Sequence, residues 1–317
     1  MNQTKEVFKK LNDLPIYLAG HVKPDQDSVC SCISLAMLLN SLGKKAYVLL
    51  EEKDKDILSW KNDHSFVVSD VHDSKFNFIA LDMNEKSRLG KFEELFDKAE
   101  FTINIDHHQD NKNEADFTLS QPGTSSTCEM IFKLVNEFGP EYFSFEMCEF
   151  LYAGMLNDTN CFSRRLSSET LAIAQHLVNS GIDYKYIIDK TYASRTFYQF
   201  KALAKMVNNI KEENEFHYVV VDKSDKAYEK LSHNQIVKQI AEELRKIEGF
   251  DVFLVLIKHP DQIVAKVMSN KSANANKIAE VFGGGGHKNE AGFTVKNVDV
   301  DLIVKTTKEF LNKKIYE

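Results

Sequence analysis

The chain has 317 residues, of which 43% are hydrophobic and 27% charged, and its formal net charge is −7. This composition is typical of a globular protein, without the run of about 20 apolar residues that a membrane span needs. The negative charge argues against a general binder of long duplex DNA, and the length suits two domains.

The five cysteines are odd in number and include no C-x-x-C pair. Such usage is typical of buried, reduced thiols. The first residues also lack the apolar core of a signal peptide. We therefore expect a cytoplasmic protein that has no membrane partner.

Apolar strands alternate with helices through the first half of the chain. The predicted strands are Ile16–Gly20, Lys45–Leu50, Phe66–Val68, Phe76–Leu81 and Phe101–Ile105. Helices are predicted from about residue 27 to Gly43, over Arg88–Phe96, from a cap at residues 125–127 to Gly139, and over Phe145–Asn157 and Ser168–Asn179. This alternation predicts an α/β fold with a doubly wound, mainly parallel sheet and helices on both faces.

The second half predicts a smaller α/β domain that follows a helical connector. Its predicted strands are Phe216–Val221, Val252–Ile257, Ile263–Met268 and Ala291–Val295. Its predicted helices are Gln235–Glu248, Asn274–Phe282 and Asp301–Lys313. We expect domain boundaries of 1–185 for the first domain, 186–211 for the connector and 212–317 for the second domain.

Acids and histidines stand directly after apolar segments of the first domain. Asp82 ends one predicted strand, and Asp158 follows the apolar helix FLYAGMLN. The other candidates are His21, Asp25 and Asp27 after the first strand, and Asp106, His107 and His108 after the fifth. Ligands of open α/β sheets bind outside the carboxyl ends of the strands. The pattern therefore predicts a metal or acid–base site at this edge.

Four consecutive glycines, residues 283–286, lie between a predicted helix and a predicted strand and precede His287. Glycines adopt positive φ at no steric cost, so consecutive amides can converge on an anion. The pattern favours an anion-binding loop, and a flexible connection is the alternative.

The segments GHVKPDQDS, LDMNE, IDHH and GMLNDTN occur in the order of the four motifs of the DHH phosphoesterase superfamily, which they resemble. FGGGGHKNEAGF resembles the glycine-rich motif of the DHH-associated domain. The resemblance covers nearly the whole chain. It is closest in character to the group of bifunctional nanoRNases and pAp phosphatases.

The resemblance implies a centre of two metal ions bridged by Asp82. His21 and Asp25 would bind one ion with Asp82, and the other ion would be bound by Asp82 with three further ligands, Asp27, His107 and Asp158. His108 would face the substrate phosphate and help to protonate the leaving oxygen. Asp106 would support the imidazoles. Two Mn²⁺ ions are expected, while Mg²⁺ and other divalent ions are left open.

In the second domain the resemblance implies that the glycine-rich segment holds the end of the substrate. The residues carried over are Gly284, Gly285, Gly286 and His287, with Lys271 as a further candidate. The family usually has Ser-x-Arg-Ser before the glycines, whereas residues 268–272 read MSNKS. Lysine keeps the charge of arginine but not its planar fork, so substrate preference is open.

The function implied is hydrolysis of short oligoribonucleotides such as pApA, and of 3′-phosphoadenosine 5′-phosphate (pAp), by a metal-activated water. The alternatives are an inorganic pyrophosphatase or exopolyphosphatase and a RecJ-like single-strand exonuclease. A nucleotide sensor without activity is disfavoured because all the ligands are present. The partner expected is a short RNA or a nucleotide, and a homodimer is left open.

Overall fold

The computed structural model describes residues 7–8, 11, 13–61, 65–109, 111–112, 115–191, 196–213, 216–244, 247, 250–270 and 273–314. The chain divides into two compact units, Met1–Ser194 and Arg195–Glu317. The residue boundaries that we predicted for the domains stay a prediction. All five cysteines are free thiols. Within the described ranges, no helix combines the length and the apolar character required to cross a bilayer.

The first unit is built on a parallel six-stranded sheet. Its strands are β1 (Ile16–Ala19), β2 (Ala46–Leu49), β3 (Val67–Val68), β4 (Asn77–Leu81), β5 (Phe101–Asp106) and β6 (Phe117–Ser120). They lie in the order β3-β2-β1-β4-β5-β6, and every neighbouring pair is parallel. The chain moves outward from β1 to β3 and then returns to the other side of β1. The direction therefore reverses between β1 and β4, where a doubly wound sheet opens its ligand crevice.

Helices cover both faces of this sheet, which confirms the predicted fold class. They are α1 (Gln26–Ser41), α2 (Glu93–Lys98), α3 (Thr127–Phe138), α4 (Phe145–Asp158), α5 (Ser168–Asn179) and α6 (Tyr184–Thr191). Short 3₁₀ helices span Glu52–Leu58, Lys86–Phe92 and Pro140–Tyr142. Along β1, Ile16 and Leu18 join the core beneath α1, α3 and α4, while Tyr17 and Ala19 join the core that includes Phe96 of α2. Both faces of the strand are therefore buried, as expected in a parallel sheet.

Strand β6 was not predicted from the sequence. Its four residues, Phe117–Ser120, alternate between half-buried and exposed positions. They pair with Ile103–Asp106 of β5 at the edge of the sheet. A strand this short forms because it pairs with β5, and its own apolar content is too low to predict it.

The second unit contains a mixed sheet with the order β11-β12-β10-β9-β8-β7. Its strands are β7 (Lys211–Glu212), β8 (His217–Asp222), β9 (Val252–Lys258), β10 (Gln262–Ser269), β11 (Gly285–Gly286) and β12 (Glu290–Lys296). Its helices are α7 (Phe197–Asn208), α8 (His233–Leu244), α9 (Ala275–Glu280) and α10 (Val300–Lys314). β8 and β9 are parallel and the other pairs are antiparallel.

The helices predicted as a connector belong to the cores of different units. Ile187 of α6 is buried in the core of the first unit. Ala202, Leu203 and Met206 of α7 are buried in a core of the second unit. Each of these helices is therefore held by its own unit.

Candidate metal centre

The carboxyl ends of β1, β4 and β5 bring three of the predicted ligands together. His21 follows β1, Asp82 follows β4, and His107 follows β5. Nε2 of His21 lies 3.5 Å from Oδ2 of Asp82, and Nε2 of His107 lies 3.5 Å from Oδ1 of the same carboxylate. Asp82 is therefore between the two imidazoles at the reversal point of the sheet.

The backbone of Asp82 has the left-handed conformation, with φ of 58°. This conformation is uncommon outside glycine, and such residues cluster at functional sites. Its amide donates to the carbonyl oxygen of Ile105 at 2.9 Å, so β5 still supports the chain after β4 has ended. The hydroxyl of Thr127 donates to Oδ1 of Asp82 at 3.0 Å. The position of this buried carboxylate is thus fixed by β5 and α3.

Asp25 and Asp27 are placed by the start of α1. Asp25 is the residue that caps this helix, and its Oδ1 accepts the amide hydrogen of Ser28 at 3.0 Å. Asp27 is fully buried and accepts two amide hydrogens from the first turn of α3. Thr127 donates to its Oδ2 at 2.7 Å and Cys128 to its Oδ1 at 2.9 Å. The positive end of the α3 dipole therefore stabilises the charge of Asp27.

Close packing of α4 against this region depends on Gly154. A Cβ atom at this position would lie 2.2 Å from Sγ of Cys128 and 3.0 Å from Oδ1 of Asp27. No side chain fits there without displacement of the Cys128 side chain or of Asp27. The glycine lets α4 approach closely enough to bring Asp158, at its C-terminal end, to the same cluster.

Glu129 stabilises the start of α3 from the other side. Its Oε2 accepts hydrogen bonds from the hydroxyls of Ser125, at 2.5 Å, and Thr170 of α5, at 2.8 Å. Nζ of Lys133 lies 2.9 Å from its Oε1. Among the three predicted caps of α3, Ser126 is the one whose side chain accepts the amide hydrogen of Glu129.

The hydrogen bonds of the histidines determine which nitrogen faces the cluster. Nδ1 of His107 lies 3.1 Å from the carbonyl oxygen of Thr124, and Nδ1 of His21 lies 3.0 Å from that of Val22. A carbonyl oxygen can only accept, so each Nδ1 carries the hydrogen. In the neutral imidazoles, the lone pairs on both Nε2 atoms then point to the carboxylates. This is the arrangement in which proteins usually hold metal-binding histidines.

Asp158 completes the second group of ligand candidates. Its Oδ2 lies 3.2 Å from Nε2 of His107. Two triads thus have their ligand atoms within 4.8 Å of one another, namely His21, Asp25 and Asp82, and Asp27, His107 and Asp158. Neighbouring ligands of an octahedral ion lie about 3 Å apart, close to the observed contacts. Carboxylates and imidazoles without cysteine suit a hard to intermediate divalent ion.

The electrostatics also favour a cation. Burial raises the pKa of Asp27 well above its ordinary value, and repulsion from Asp82 and Asp158 adds to the effect. Burial likewise raises the pKa of Asp25, with further repulsion from Asp82. Burial alone would lower the pKa of His107, but its bonds to Asp158 and Asp82 raise it to about 11. A divalent cation would relieve this repulsion between carboxylates by replacing protons.

The remaining acid–base candidates form a chain of hydrogen bonds beside the triads. Nδ1 of His108 lies 2.5 Å from Oδ1 of the fully buried Asp106. Asn111 donates to Oδ2 of Asp106 at 2.7 Å and also to Oδ1 of Asn104 at 2.7 Å. Asp106 thus holds His108 in one tautomer, so that Nε2 of this half-exposed ring is left for chemistry. Together with Asp82 and His107, His108 forms a further group of ligand atoms within 4.8 Å.

The glycine-rich segment lies in the second unit. Gly285 and Gly286 form β11, which pairs with Gly292 and Ala291 of β12. A Cβ atom on Gly286 would lie 2.6 Å from Cα of Ala291, and its φ is 154°, so only glycine suits this pairing.

The amides of this segment are partly engaged in the backbone. The amide of Gly284 donates to Ala279 and that of His287 to Glu290, so neither is available to an anion in this conformation. The side chain of His287 is exposed. Lys271 lies outside the described residues. Anion binding by this segment stays a prediction.

Three supporting residues of the first unit were not predicted for these roles. Thr127 was predicted as one of three candidate helix caps, in a hydroxylated stretch that in the resembled family lies near the active site, but its contacts with Asp27 and Asp82 were not predicted. Thr124 acts through its backbone carbonyl, which a pattern of side chains in the sequence cannot reveal. Arg165, whose Nη1 lies 3.3 Å from Oδ2 of Asp158, follows the motif GMLNDTN by a short loop. The sequence feature that could have pointed to this arginine is the pair of basic residues in SRR, residues 163–165.

Comparison with known proteins identifies domains in both units. Residues 15–155 match the DHH family, N-terminal domain, and residues 213–313 match the DHHA1 domain. In structure, the chain is similar to an exopolyphosphatase-related protein from Bacteroides fragilis, with a TM-score of 0.84, 22% identity and coverage of 98% of this chain and 95% of that one. At this identity the likeness shows the fold alone.

Relatives with similar sequences support the same family. The chain is 27% identical to the bifunctional oligoribonuclease and PAP phosphatase NrnA of Thermus thermophilus, over 99% of this chain and 94% of the relative. It is 26% identical to a probable bifunctional oligoribonuclease and PAP phosphatase NrnA of Streptococcus mutans, over 87% and 88%. It is 23% identical to the cyclic-di-AMP phosphodiesterase PdeA of Listeria monocytogenes, over 90% of this chain and 45% of the relative. With both domain matches, the predicted resemblance is confirmed: the chain belongs to the metal-dependent DHH family of phosphoesterases.

Proposed function

We propose that this protein is a cytoplasmic, manganese-dependent phosphoesterase that hydrolyses very short oligoribonucleotides, including pApA, and the nucleotide pAp. The observation that supports it most directly is the position of Asp82, whose two oxygens each lie 3.5 Å from the imidazole of a different triad. A shared carboxylate between two ligand sets is what a two-ion centre requires. The Thermus and Streptococcus relatives, which align over most of their length, support this choice of substrates.

Two divalent ions bound by these triads would supply a water activated at neutral pH and neutralise charge on the phosphate. The side chains of the protein position the metal-binding groups and the proton donor. Asp82 holds the triads at a fixed separation, and α3 fixes Asp27. His108 is oriented by Asp106 so that Nε2 can give a proton to the leaving oxygen.

We assign the second unit to binding the end of the substrate. The exposed side chain of His287 and the glycines of β11 are the residues concerned. A contact that is equal in the ground state and the transition state affects KM rather than kcat. The variant His287→Ala should therefore raise KM for pApA and leave hydrolysis of a small ester almost unchanged.

The proposal can be tested with purified protein and manganese against five substrates in parallel. These are pApA, a five-nucleotide RNA, a 24-nucleotide RNA, pAp and pyrophosphate. We expect the highest kcat/KM on the two shortest RNAs, activity on pAp and none on pyrophosphate, with all activity lost in a chelator. Equal rates on the 24-mer and pApA would favour the RecJ-like alternative, and a preference for pyrophosphate would favour the pyrophosphatase.

A further inference from the structure

A loop after α4 returns an arginine to the metal centre. Nη1 of Arg165 lies 3.3 Å from Oδ2 of Asp158, seven residues earlier. The side chain of Arg165 is 54% exposed, whereas that of Asp158 is 13% exposed. Within the part of the chain that the structure describes, this carboxylate is the only hydrogen-bond or ion-pair partner of the guanidinium. Most of its N–H donors therefore remain open to solvent at the edge of the ligand cluster.

The loop that presents Arg165 is held by the fully buried Thr159. The hydroxyl of Thr159 donates to the Met155 carbonyl at 2.6 Å and accepts the amide hydrogen of Phe162 at 2.9 Å. Its carbonyl accepts the amides of Ser163 at 2.9 Å and Arg164 at 3.0 Å. These bonds fix the turn from both ends, so the backbone of Arg165 is positioned before any ligand arrives.

The charges around this guanidinium indicate which ligand it can bind. Asp158 belongs to a triad that we assign to an ion, and an ion would take over the carboxylate oxygens. An arginine that faces both this carboxylate and solvent is then ready for an anion at the same place. A guanidinium binds the oxygens of a phosphate through a planar fork, which lysine cannot reproduce. The segment 268–272, where the resemblance led us to expect an arginine, has none.

The geometry points to Arg165 as a phosphate-binding residue that donates N–H groups to phosphate oxygens of the substrate at the metal centre. This inference rests on the proposed function. A terminal phosphomonoester is a dianion with three oxygens that are not esterified, whereas a phosphodiester is a monoanion with two. Arg165 should therefore contribute more to the hydrolysis of terminal phosphates, such as those of pAp, than to the hydrolysis of internal diester linkages.

The experiment compares p-nitrophenyl phosphate with bis-p-nitrophenyl phosphate at saturating manganese. We expect Arg165→Ala to lower kcat/KM on the monoester by about ten- to a hundredfold, the effect expected when a hydrogen bond between charged groups is lost. The decrease in kcat/KM on the diester should be several-fold smaller. Arg165→Lys should recover only part of the monoester activity. The inhibition constant of inorganic phosphate should rise in parallel. Arg164→Ala, which removes the same charge one residue away, should leave the ratio of the two activities unchanged.

A role confined to holding Asp158 gives the opposite pattern. Arg165→Ala would then weaken the apparent affinity for manganese, reduce both activities equally and be rescued by more metal, and the phosphate-binding role would be overturned. Under our inference the manganese affinity is unchanged or higher, because a neighbouring cation has been removed. If the wild-type protein hydrolyses neither ester with manganese, the proposed function fails. A fully active wild type with an unaffected Arg165→Ala variant would overturn this inference alone.

Discussion

Replacing Asp82 with asparagine should remove the charge between the two ligand triads while keeping the shape of the side chain. Asp82 is 3% exposed and contacts His21, His107 and the hydroxyl of Thr127. The amide of asparagine can still accept the bond from Thr127, so the fold should survive. What is lost is the carboxylate charge that two ions would share.

The size of the effect follows from Coulomb's law. A unit charge about 4 Å from a cation contributes about 4 kcal/mol at the effective dielectric constant found near protein surfaces. Losing this contribution in the transition state corresponds to about a thousandfold lower kcat. Since the charge would contact two ions, a thousandfold is a lower estimate.

The assay is the kcat for bis-p-nitrophenyl phosphate at saturating manganese, together with the metal content of the purified protein by mass spectrometry. Asp97→Asn is the matched control, because Asp97 pairs with Lys86 at 2.8 Å on the surface and its side chain is 55% exposed. The control should behave as wild type, and thermal unfolding should show that both variants are folded. If Asp82→Asn keeps more than a tenth of the wild-type kcat, Asp82 does not bridge two ions.

Three further outcomes concern stability. Gly154→Ala should lower the free energy of unfolding by about 1–3 kcal/mol in denaturant melts, since its Cβ would clash with Cys128 and Asp27. Helix propensity alone would make the alanine variant more stable, and that result would contradict the packing argument. Burial would raise the pKa of Glu129, but its hydrogen bonds lower it. The stabilisation by Glu129 is thus present above its unfolded pKa of about 4.3 and is lost as the pH falls through the folded value. Glu129→Gln should cost about 1.5–3 kcal/mol at pH 7 and progressively less in acid, so a constant difference would exclude the charge as the cause. Manganese at a hundred times its dissociation constant should stabilise the wild type by about 2.7 kcal/mol in thermal melts, whereas an equal response of Asp82→Asn would place the ions elsewhere.

The first-unit fold was predictable because its strands carry a strong signal. β1 and β4 are largely apolar, β5 alternates apolar with small polar residues, and all three are buried and lead into acids or histidines, as expected for strands of a buried parallel sheet. The six ligand candidates could be grouped into their triads only through the resemblance to a family. Nothing in the spacing of His21, Asp25 and Asp82 states that they lie within 4.8 Å of one another.

The parts that were missed depend on contacts between distant segments. Thr127 meets Asp27, a hundred residues away, through a backbone amide that every residue possesses. Arg165 reaches Asp158 through a loop in which residues 160–162 and Arg165 all have positive φ, although none is glycine. Local propensity predicts against this conformation, and the hydrogen bonds of Thr159 that stabilise it appear only in the folded chain.

The way in which the ligands are distributed along the chain has a consequence for biosynthesis. His21 and Asp158 are separated by most of the first unit's sequence, and the amides that hold Asp27 come from a helix that is synthesised much later. A nascent chain on the ribosome therefore exposes an incomplete set of acids until α4 has emerged. The closing of such long loops is slow compared with local helix formation. Assembly of both ligand triads should accordingly be a late step in the folding of this unit.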